Sequence, residues 1–237
     1  MKKIIKVFGF AALIISSSFL LSACGKKPTT DTSTSSKSST KVSQKIELSA
    51  DEKPYVSLVP TSDGHTLSLK ISQVPAKFTS IDYELIYSAK DGNIEIEKGV
   101  SGTIKSSEYS STKDLLLGTA SCTNGCKYKY DEGITGGTLT LTLNTDNKEY
   151  FHHETAFVLS NGTDINKVKK ISLIQDDFII NGTVTNKNEY FVTVKNFKSI
   201  YSVFSSGAGK GKITSIEPTT VTKTDLNSFA GDYTISQ

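Results

Sequence analysis

The segment Thr138-Leu139-Thr140-Leu141-Thr142-Leu143 alternates a polar side chain with an apolar one at every position. Successive side chains of a β-strand point to opposite faces of a sheet, so this pattern predicts a strand that buries its leucines and exposes its threonines. Threonine is also a residue that strands favour. The segment therefore indicates a half-buried β-strand. If the same pattern recurs along the chain, it predicts a β fold.

The same period of two recurs along the chain. Apolar residues that share a predicted face lie at Leu67, Leu69 and Ile71, and again at Ile81, Tyr83, Leu85 and Tyr87. Turn-forming pairs separate such runs, at Asp63-Gly64, Asp91-Gly92, Gly136-Gly137, Asn161-Gly162 and Asn181-Gly182. We predict about eight strands over residues 55–160 and about four more over residues 168–205. No stretch beyond the leader shows a clear helical period over ten residues.

The predicted fold class is all-β, an immunoglobulin-like β-sandwich that is either elongated or joined to a small second β subdomain. Residues 81–100 resemble the middle strands of immunoglobulin-like and fibronectin-III-like modules. The core tryptophan and the widely spaced cysteine pair of immunoglobulins are absent, so the resemblance is one of architecture. The predicted core consists of Leu67, Leu69, Ile71, Tyr83, Leu85, Tyr87, Leu116, Leu139, Leu141, Phe157 and Leu159.

Residues 1–23 have the composition of a secretion signal. Three lysines lie within the first six residues, an apolar run follows over residues 7–21, and small residues occupy positions 22–23. This order is that of a signal peptide, and the apolar run is shorter than the roughly 20 residues that a membrane-spanning helix needs. An ordinary secretory signal and an uncleaved signal anchor remain alternatives.

Leu21-Ser22-Ala23-Cys24 resembles the lipobox of bacterial lipoproteins. The resemblance implies that Cys24 becomes the acylated first residue of the mature protein, which would then be held at a membrane by its lipid. It further implies an extracytoplasmic location in the cell envelope, either on the outer face of the plasma membrane or at an outer membrane.

We predict five regions. Residues 1–23 are the signal peptide, and residues 24–49 are the lipidated cysteine and a disordered linker rich in serine, threonine and lysine. Residues 50–162 form the β-sandwich domain, and residues 163–206 add strands as an extension or a small second domain. Residues 207–237 form a flexible break and a C-terminal segment.

The charge of the chain is unevenly distributed. All 27 basic residues of the 237-residue chain are lysine, against 24 acidic residues, for a formal charge of +3. Residues 48–237 hold 19 lysines and 22 acidic residues, which leaves −3. Without arginine or a basic body, the chain does not fit a nucleic-acid partner.

Cys122-Thr123-Asn124-Gly125-Cys126 is the most specific motif of the body. Two cysteines four residues apart across an Asn-Gly turn predict a local disulfide in an exported protein. Redox activity and metal binding are alternatives, although the Cys-x-x-Cys spacing of redox sites is absent. Tyr128 and Tyr130, beside this loop, are candidate contact residues for a partner, because interfaces favour aromatic anchors. They could equally be core or edge-strand residues.

Other motifs predict no catalytic or metal site and no cofactor. His152 and His153 are neighbours on a predicted strand and therefore face opposite sides of a sheet. The run 207–212 contains glycines and lysines but lacks the serine or threonine and the first glycine of a phosphate-binding loop. Asp176-Asp177 and Asp91-Gly92-Asn93 lack the spacing of a calcium loop.

The sequence therefore favours a non-enzymatic, membrane-anchored extracytoplasmic lipoprotein whose β-sandwich binds a protein or polysaccharide at the cell surface. A structural or assembly lipoprotein of the envelope is the alternative. An envelope hydrolase is a third possibility, and it requires His152 or His153 to meet acids such as Asp176 or Glu154 in a cleft.

Overall fold

The computed structural model describes residues 43–173, 178–197 and 200–235. The predicted signal peptide, Cys24, most of the predicted linker and Asp176-Asp177 lie outside these residues. The described chain is dominated by antiparallel β-strands, with one short α-helix. The predicted all-β, sandwich-like fold class is confirmed.

The elements follow one another in short steps, but two of the predicted turn pairs do not form turns between strands. Asn181-Gly182 lies inside a strand, and Asn161-Gly162 lies at the start of the helix. The helix is α1 (Gly162–Val168). The strands are β1 (Gln44–Lys45), β2 (Tyr55–Pro60), β3 (Thr66–Ser72), β4 (Ser80–Asp91), β5 (Ile94–Lys105), β6 (Lys113–Leu116), β7 (Gly118–Cys122), β8 (Cys126–Tyr130), β9 (Gly136–Asn144), β10 (Glu149–Asn161), β11 (Lys170–Ser172), β12 (Ile179–Val184), β13 (Tyr190–Lys195), β14 (Ile200–Ser205), β15 (Gly211–Glu217), β16 (Val221–Thr222) and β17 (Gly231–Ile235).

One large sheet runs through the molecule. Its strand order is β16-β17-β14-β13-β10-β9-β4-β5, and β1 pairs in parallel with the start of β10. The long strands β4, β9 and β10 form its middle. They keep continuous antiparallel registers, with Leu85 opposite Leu139 and Leu141 opposite His153. The leucines of the 138–143 segment are fully buried, as the alternation predicts.

Two smaller sheets cover the large one. The sheet β2-β3-β6 contributes Leu58, Leu67 and Leu69 to a first core, together with Leu85 and Leu139 of the large sheet. The sheet β11-β12-β15 contributes to a second core.

Strand β13 shows how the two cores are related. Val192 and Val194 belong to the first core, whereas Phe191 belongs to the second. Because alternate residues of a strand face opposite ways, the cores lie on opposite faces of the large sheet. Both faces of β13 are thus buried, and Thr193 is buried as well.

The large sheet draws strands from each of the three regions predicted for the body. Strand β10 comes from the first region, β13 and β14 from the second, and β17 from the third. Residues 207–237, predicted as a flexible break and a terminal segment, also supply β15 to the sheet that covers the second core. The boundary at residue 162 coincides with the start of α1 rather than with the end of a sheet.

The structure departs from the sequence-based expectation at several positions. Tyr83 and Leu116 were expected in the core, but both are only partly buried, while Leu115 and Leu117 are fully buried. Helix α1 was not expected. It begins at Gly162 and is capped by Asn161, whose side-chain oxygen accepts a hydrogen bond from the Asp164 backbone N–H at 2.9 Å. Seven residues are too few for a helical period to show in the sequence.

Candidate functional site

The hairpin formed by β7 and β8 extends away from the body of the protein. Every residue over 119–130 is exposed, on both strands and in the turn. The strands pair antiparallel, with Gly118 opposite Tyr130 and Cys122 opposite Cys126. The Cys122–Cys126 disulfide joins the two strands across the turn, as predicted.

The two faces of this hairpin differ in chemistry. Tyr128 and Tyr130 share one face, and the residues opposite them on β7 are the small Ala120 and Gly118. Lys127 and Lys129 alternate with the tyrosines and therefore lie on the other face. The small residues of β7 leave the tyrosine rings uncovered by cross-strand neighbours.

Three aromatic rings form what we call the aromatic row, which consists of His65, Tyr130 and Tyr128. The ring of His65 stacks on Tyr130, with 4.1 Å between centroids and 7° between planes. The ring of Tyr128 is parallel to that of Tyr130 within 3°, with centroids 6.1 Å apart. Tyr128 and Tyr130 remain 54% and 41% exposed. The rings are therefore ordered against one another and still accessible.

The sequence identified two members of this row. Tyr128 and Tyr130 were predicted as contact residues, and the structure places both on the surface. His65 precedes β3 and is distant in sequence, so no local pattern links it to the hairpin. Its backbone carbonyl accepts a hydrogen bond from Leu117 N–H at 2.9 Å, which brings the start of β3 beside the hairpin.

The base of the hairpin is fixed firmly to the body. Leu117 is buried, and its carbonyl accepts a hydrogen bond from Asp131 N–H at 3.0 Å. At Gly118 the backbone passes so close to β8 that a Cβ atom would lie 2.4 Å from the carbonyl oxygen of Lys129. A side chain at position 118 would separate the strands, so glycine is needed there.

Asp131 forms the main electrostatic contacts at the base of the hairpin. Its side chain is only 5% exposed and forms an ion pair with Lys98 of β5. The hydroxyl of Tyr87 donates to the other Asp131 oxygen at 2.9 Å. Burial, reinforced by the Asp131 carboxylate, raises the pKa of the Tyr87 hydroxyl far above its usual value. The phenol thus stays protonated and remains a donor to Asp131.

A concavity of about 200 Å³ lies beside this base. Its lining is strongly polar and includes Lys90, Asp91, Lys98, Lys129, Tyr130 and Glu132. Charged groups of both signs are therefore available next to one end of the aromatic row. Such a lining suits a ligand with many hydrogen-bonding groups better than an apolar one. Asp91 also belongs to the β4–β5 turn, where the sequence analysis expected a surface turn.

The neighbouring histidines of β10 lie on opposite faces of the large sheet, as their spacing predicts. His152 is exposed, and its Nδ1 lies 3.3 Å from the Thr142 hydroxyl. His153 points inward, with its ring 3.8 Å from that of Phe197 and its buried Nε2 without a hydrogen-bond partner. Burial, with a smaller effect of Lys53 and then of His152, lowers the pKa of His153 to about 4.

The hydrolase alternative required one of these histidines to meet an acid such as Glu154 or Asp176. Glu154 is exposed on the same outer face as His152, two residues along the strand, and Asp176 lies outside the described residues. Across residues 43–173, 178–197 and 200–235, no three histidine, cysteine, aspartate or glutamate side chains group together as metal ligands would.

The glycine-rich run also has a clear structural role. The loop that begins after β14 wraps around the buried carboxylate of Glu189. That carboxylate accepts hydrogen bonds from the backbone N–H groups of Ala208 and Gly209, at 3.2 and 2.9 Å. Backbone donors that could have bound a phosphate are therefore occupied by an acidic side chain of the same chain.

Membrane attachment was predicted through Cys24, which lies outside the described residues. Among the residues that the structure describes, no helix has the length and apolar content needed to cross a bilayer. Comparison of the chain with known protein families, with curated proteins and with solved structures finds no match.

Proposed function

We propose that the protein is a lipid-anchored extracytoplasmic display protein that binds a polysaccharide through the aromatic row. One observation carries the proposal, namely a row of three parallel rings, His65 and the two tyrosines of a disulfide-linked hairpin that is exposed over residues 119–130. Aromatic rings offer flat apolar faces with a polar group at the edge. Sugar rings have apolar C–H faces and polar rims, so they complement such a row.

The polar concavity supports the same ligand class. It adjoins Tyr130 and offers both lysine and carboxylate groups to hydroxyls at the rim of a sugar. The disulfide supports it too, because cross-linking the strands reduces the conformational freedom that binding would otherwise remove. A protein partner is the other outcome that the exposed aromatic residues allow.

The anchor is proposed from the lipobox resemblance of residues 21–24. An acylated Cys24 would hold the protein at the membrane, and the polar residues that follow would separate the β body from the lipid surface. Growth with a radiolabelled fatty acid tests this part. Label is expected in the native protein and not in Cys24→Ser, and label retained in the variant would overturn the proposed anchor.

Binding is tested with the full chain in detergent micelles, by co-sedimentation with insoluble cellulose, chitin and purified peptidoglycan. We expect retention by at least one polymer, and a loss of affinity of about tenfold or more in the double variant Tyr128→Ala/Tyr130→Ala. The matched control is Lys127→Ala, which alters the opposite face of the same hairpin at a residue outside the concavity. It should change affinity by less than about threefold.

Two results would count against the ligand class. Retention by none of the three polymers would overturn it, and so would equal losses in the tyrosine and lysine variants. Loss in both variants would indicate a general role for the hairpin rather than recognition by its aromatic face.

A further inference from the structure

Strand β5 forms one end of the large sheet and leaves a long edge unpaired. All twelve of its residues, Ile94–Lys105, pair in register with β4. Within residues 43–173, 178–197 and 200–235, no other strand pairs with it. The outward N–H and C=O groups of an edge strand are a template for another strand.

This edge lacks two features that commonly prevent pairing. Its sequence contains no proline, and its register with β4 shows no bulge. An inward-pointing lysine can also protect an edge, and Lys98 points inward. Its charge, however, is already compensated by Asp131 at the hairpin base.

The two faces of β5 carry different residues. Even-numbered residues face the first core, where Ile104 is buried while Ile96 and Val100 are only partly covered. Odd-numbered residues are exposed, and they include Glu95 and Lys105. An added strand would extend the inner face and cover the apolar side chains that are now half-exposed.

A second copy of β5 fits this edge in one register. When an antiparallel pair has its two-fold axis at Val100, Glu95 lies opposite Lys105 of the other copy, and the contact occurs twice. Ile96 then lies opposite Ile104, and Val100 lies opposite its own equivalent. The remaining inner pair places Lys98 opposite Gly102, where the ring of Tyr83 covers the strand in place of a side chain. Opposite charges and apolar pairs both stabilise directly opposed positions.

Neighbouring registers place less favourable residue pairs opposite each other. An axis at Glu97 or at Lys98 places like charges opposite each other. An axis at Gly99 forms no charge pair. An axis at Ser101 keeps an opposite-charge pair, Glu97 with Lys105, but it places Lys98 opposite Ile104 and Val100 opposite Gly102, so both apolar pairs of the inner face are lost. A slip by one residue sets the inner face of one copy against the outer face of the other.

We propose that β5 pairs antiparallel with β5 of a second copy of this chain, with Val100 opposite Val100, so that the large sheet continues across a two-fold axis. This surface does not include the aromatic row, although Ile96 and Lys98 of β5 also line the polar concavity, and the proposal does not depend on ligand binding. Backbone hydrogen bonds along the edge supply affinity. The Glu95–Lys105 pairs and the apolar inner pairs Ile96–Ile104 and Val100–Val100 together select the register.

Sedimentation velocity of the full chain in detergent micelles tests the pairing. We expect a dimer, and we expect Glu95→Lys or Lys105→Glu alone to weaken it by about tenfold or more, since each change creates two like-charge pairs. The double variant Glu95→Lys/Lys105→Glu restores opposite charges and should recover most of the affinity. Circular dichroism of each variant verifies that its fold is intact.

Cysteine cross-linking tests the register of the two β5 strands independently of the charge variants. Val100→Cys should form an intermolecular disulfide, because the axis places the two residues directly opposite. Ser101→Cys is the matched control, since its equivalents would lie about 8 Å apart and cannot be bridged. Residue 101 is the more exposed of the two, so random collisions would give the reverse order.

Three outcomes would overturn the proposal. One is a native chain that stays monomeric up to about 0.5 mM. Another is a charge-swapped double variant as weak as the single ones. The third is cross-linking that is faster at residue 101 than at residue 100. The variants of Tyr128 and Tyr130 should dimerise normally, which separates this test from that of ligand binding.

Discussion

The carboxylate of Glu189 accepts a hydrogen bond from the backbone N–H of Gly209 at 2.9 Å, across 20 residues of sequence. The same side chain accepts from Ala208 N–H and from the Ser205 hydroxyl, at 3.2 and 3.0 Å. Glu189 is 9% exposed, so its charge is stabilised by these donors rather than by water. One acidic side chain thus holds the loop that connects β14 to β15.

Glu189→Ala should lower the free energy of unfolding by about 2–4 kcal/mol, because it leaves several buried donors without a partner. Glu189→Gln keeps the shape of the side chain and should cost less. Urea unfolding followed by circular dichroism measures both, a suitable method because the chain has no tryptophan. Glu217→Gln is the control, since Glu217 is exposed. Equal losses at the two positions would contradict this role of Glu189.

The strands of the fold could be predicted from the sequence, whereas the structure of the loop between β14 and β15 could not. The alternation over residues 138–143 predicted a strand with the correct buried face, because one side of β9 meets the core. The run 207–212 offered only glycine and lysine, and its partner, Glu189, lies outside any local pattern. Contacts between distant segments leave no periodic signal in a single sequence.

Uniform apolar runs were a further reason why core residues were predicted incorrectly. Leu115-Leu116-Leu117 has no alternation, so the sequence could not say which leucines face inward, and Leu116 was assigned wrongly to the core. The candidate site, likewise, could be predicted only in part from the sequence. Tyr128 and Tyr130 were identified because they lie beside the Cys122–Cys126 loop, whereas His65 joins them only through the tertiary fold.

His153 should make stability depend on pH. Its pKa is about 4 in the folded protein, lowered mainly by burial from an ordinary value of 6.5. The folded state therefore favours the neutral ring, and the stabilisation is complete above about pH 6.5 and is lost as the pH falls towards 4. For this partly buried group, we expect a loss of about 1–3 kcal/mol over that window.

His153→Phe isolates this effect, because phenylalanine can keep the ring contact with Phe197 and does not titrate. The variant should lose less stability than the native protein between pH 6.5 and 4.5, as measured by urea unfolding at each pH. His152→Phe alters the exposed neighbour and should retain the native pH dependence. A flat difference between the native protein and His153→Phe across the window would refute the assignment.

Asn196 should be among the most sensitive polar residues of the first core. Its side-chain oxygen accepts from Val56 N–H at 3.1 Å, and its side-chain nitrogen donates to Val56 C=O at 2.7 Å. Asn196 is 5% exposed and directly follows β13, while Val56 lies on the edge strand β2. The amide therefore pairs with the edge of the covering sheet as a neighbouring strand would.

Asn196→Ala should destabilise the protein by about 2–4 kcal/mol, because both backbone groups of Val56 lose a buried partner. Thermal unfolding by circular dichroism measures the change. Asn188→Ala is the matched control, since Asn188 lies exposed in the turn before β13, and it should shift stability by less than about 0.5 kcal/mol. Comparable effects at the two positions would show that the amide bonds contribute little.

The Cys122–Cys126 disulfide should order the hairpin without stabilising the body. The side chains over residues 119–130 are exposed, so the end of the hairpin can open while both cores stay intact. In Cys122→Ser/Cys126→Ser, we expect faster amide hydrogen exchange over residues 118–130 and unchanged exchange over residues 138–143. The free energy of global unfolding should change by less than about 1 kcal/mol, although closing such a short loop can be worth roughly 2 kcal/mol locally. Unchanged exchange over residues 118–130 would show that the disulfide does not order the hairpin. A global loss as large as that of Asn196→Ala would show instead that the hairpin unfolds together with the core.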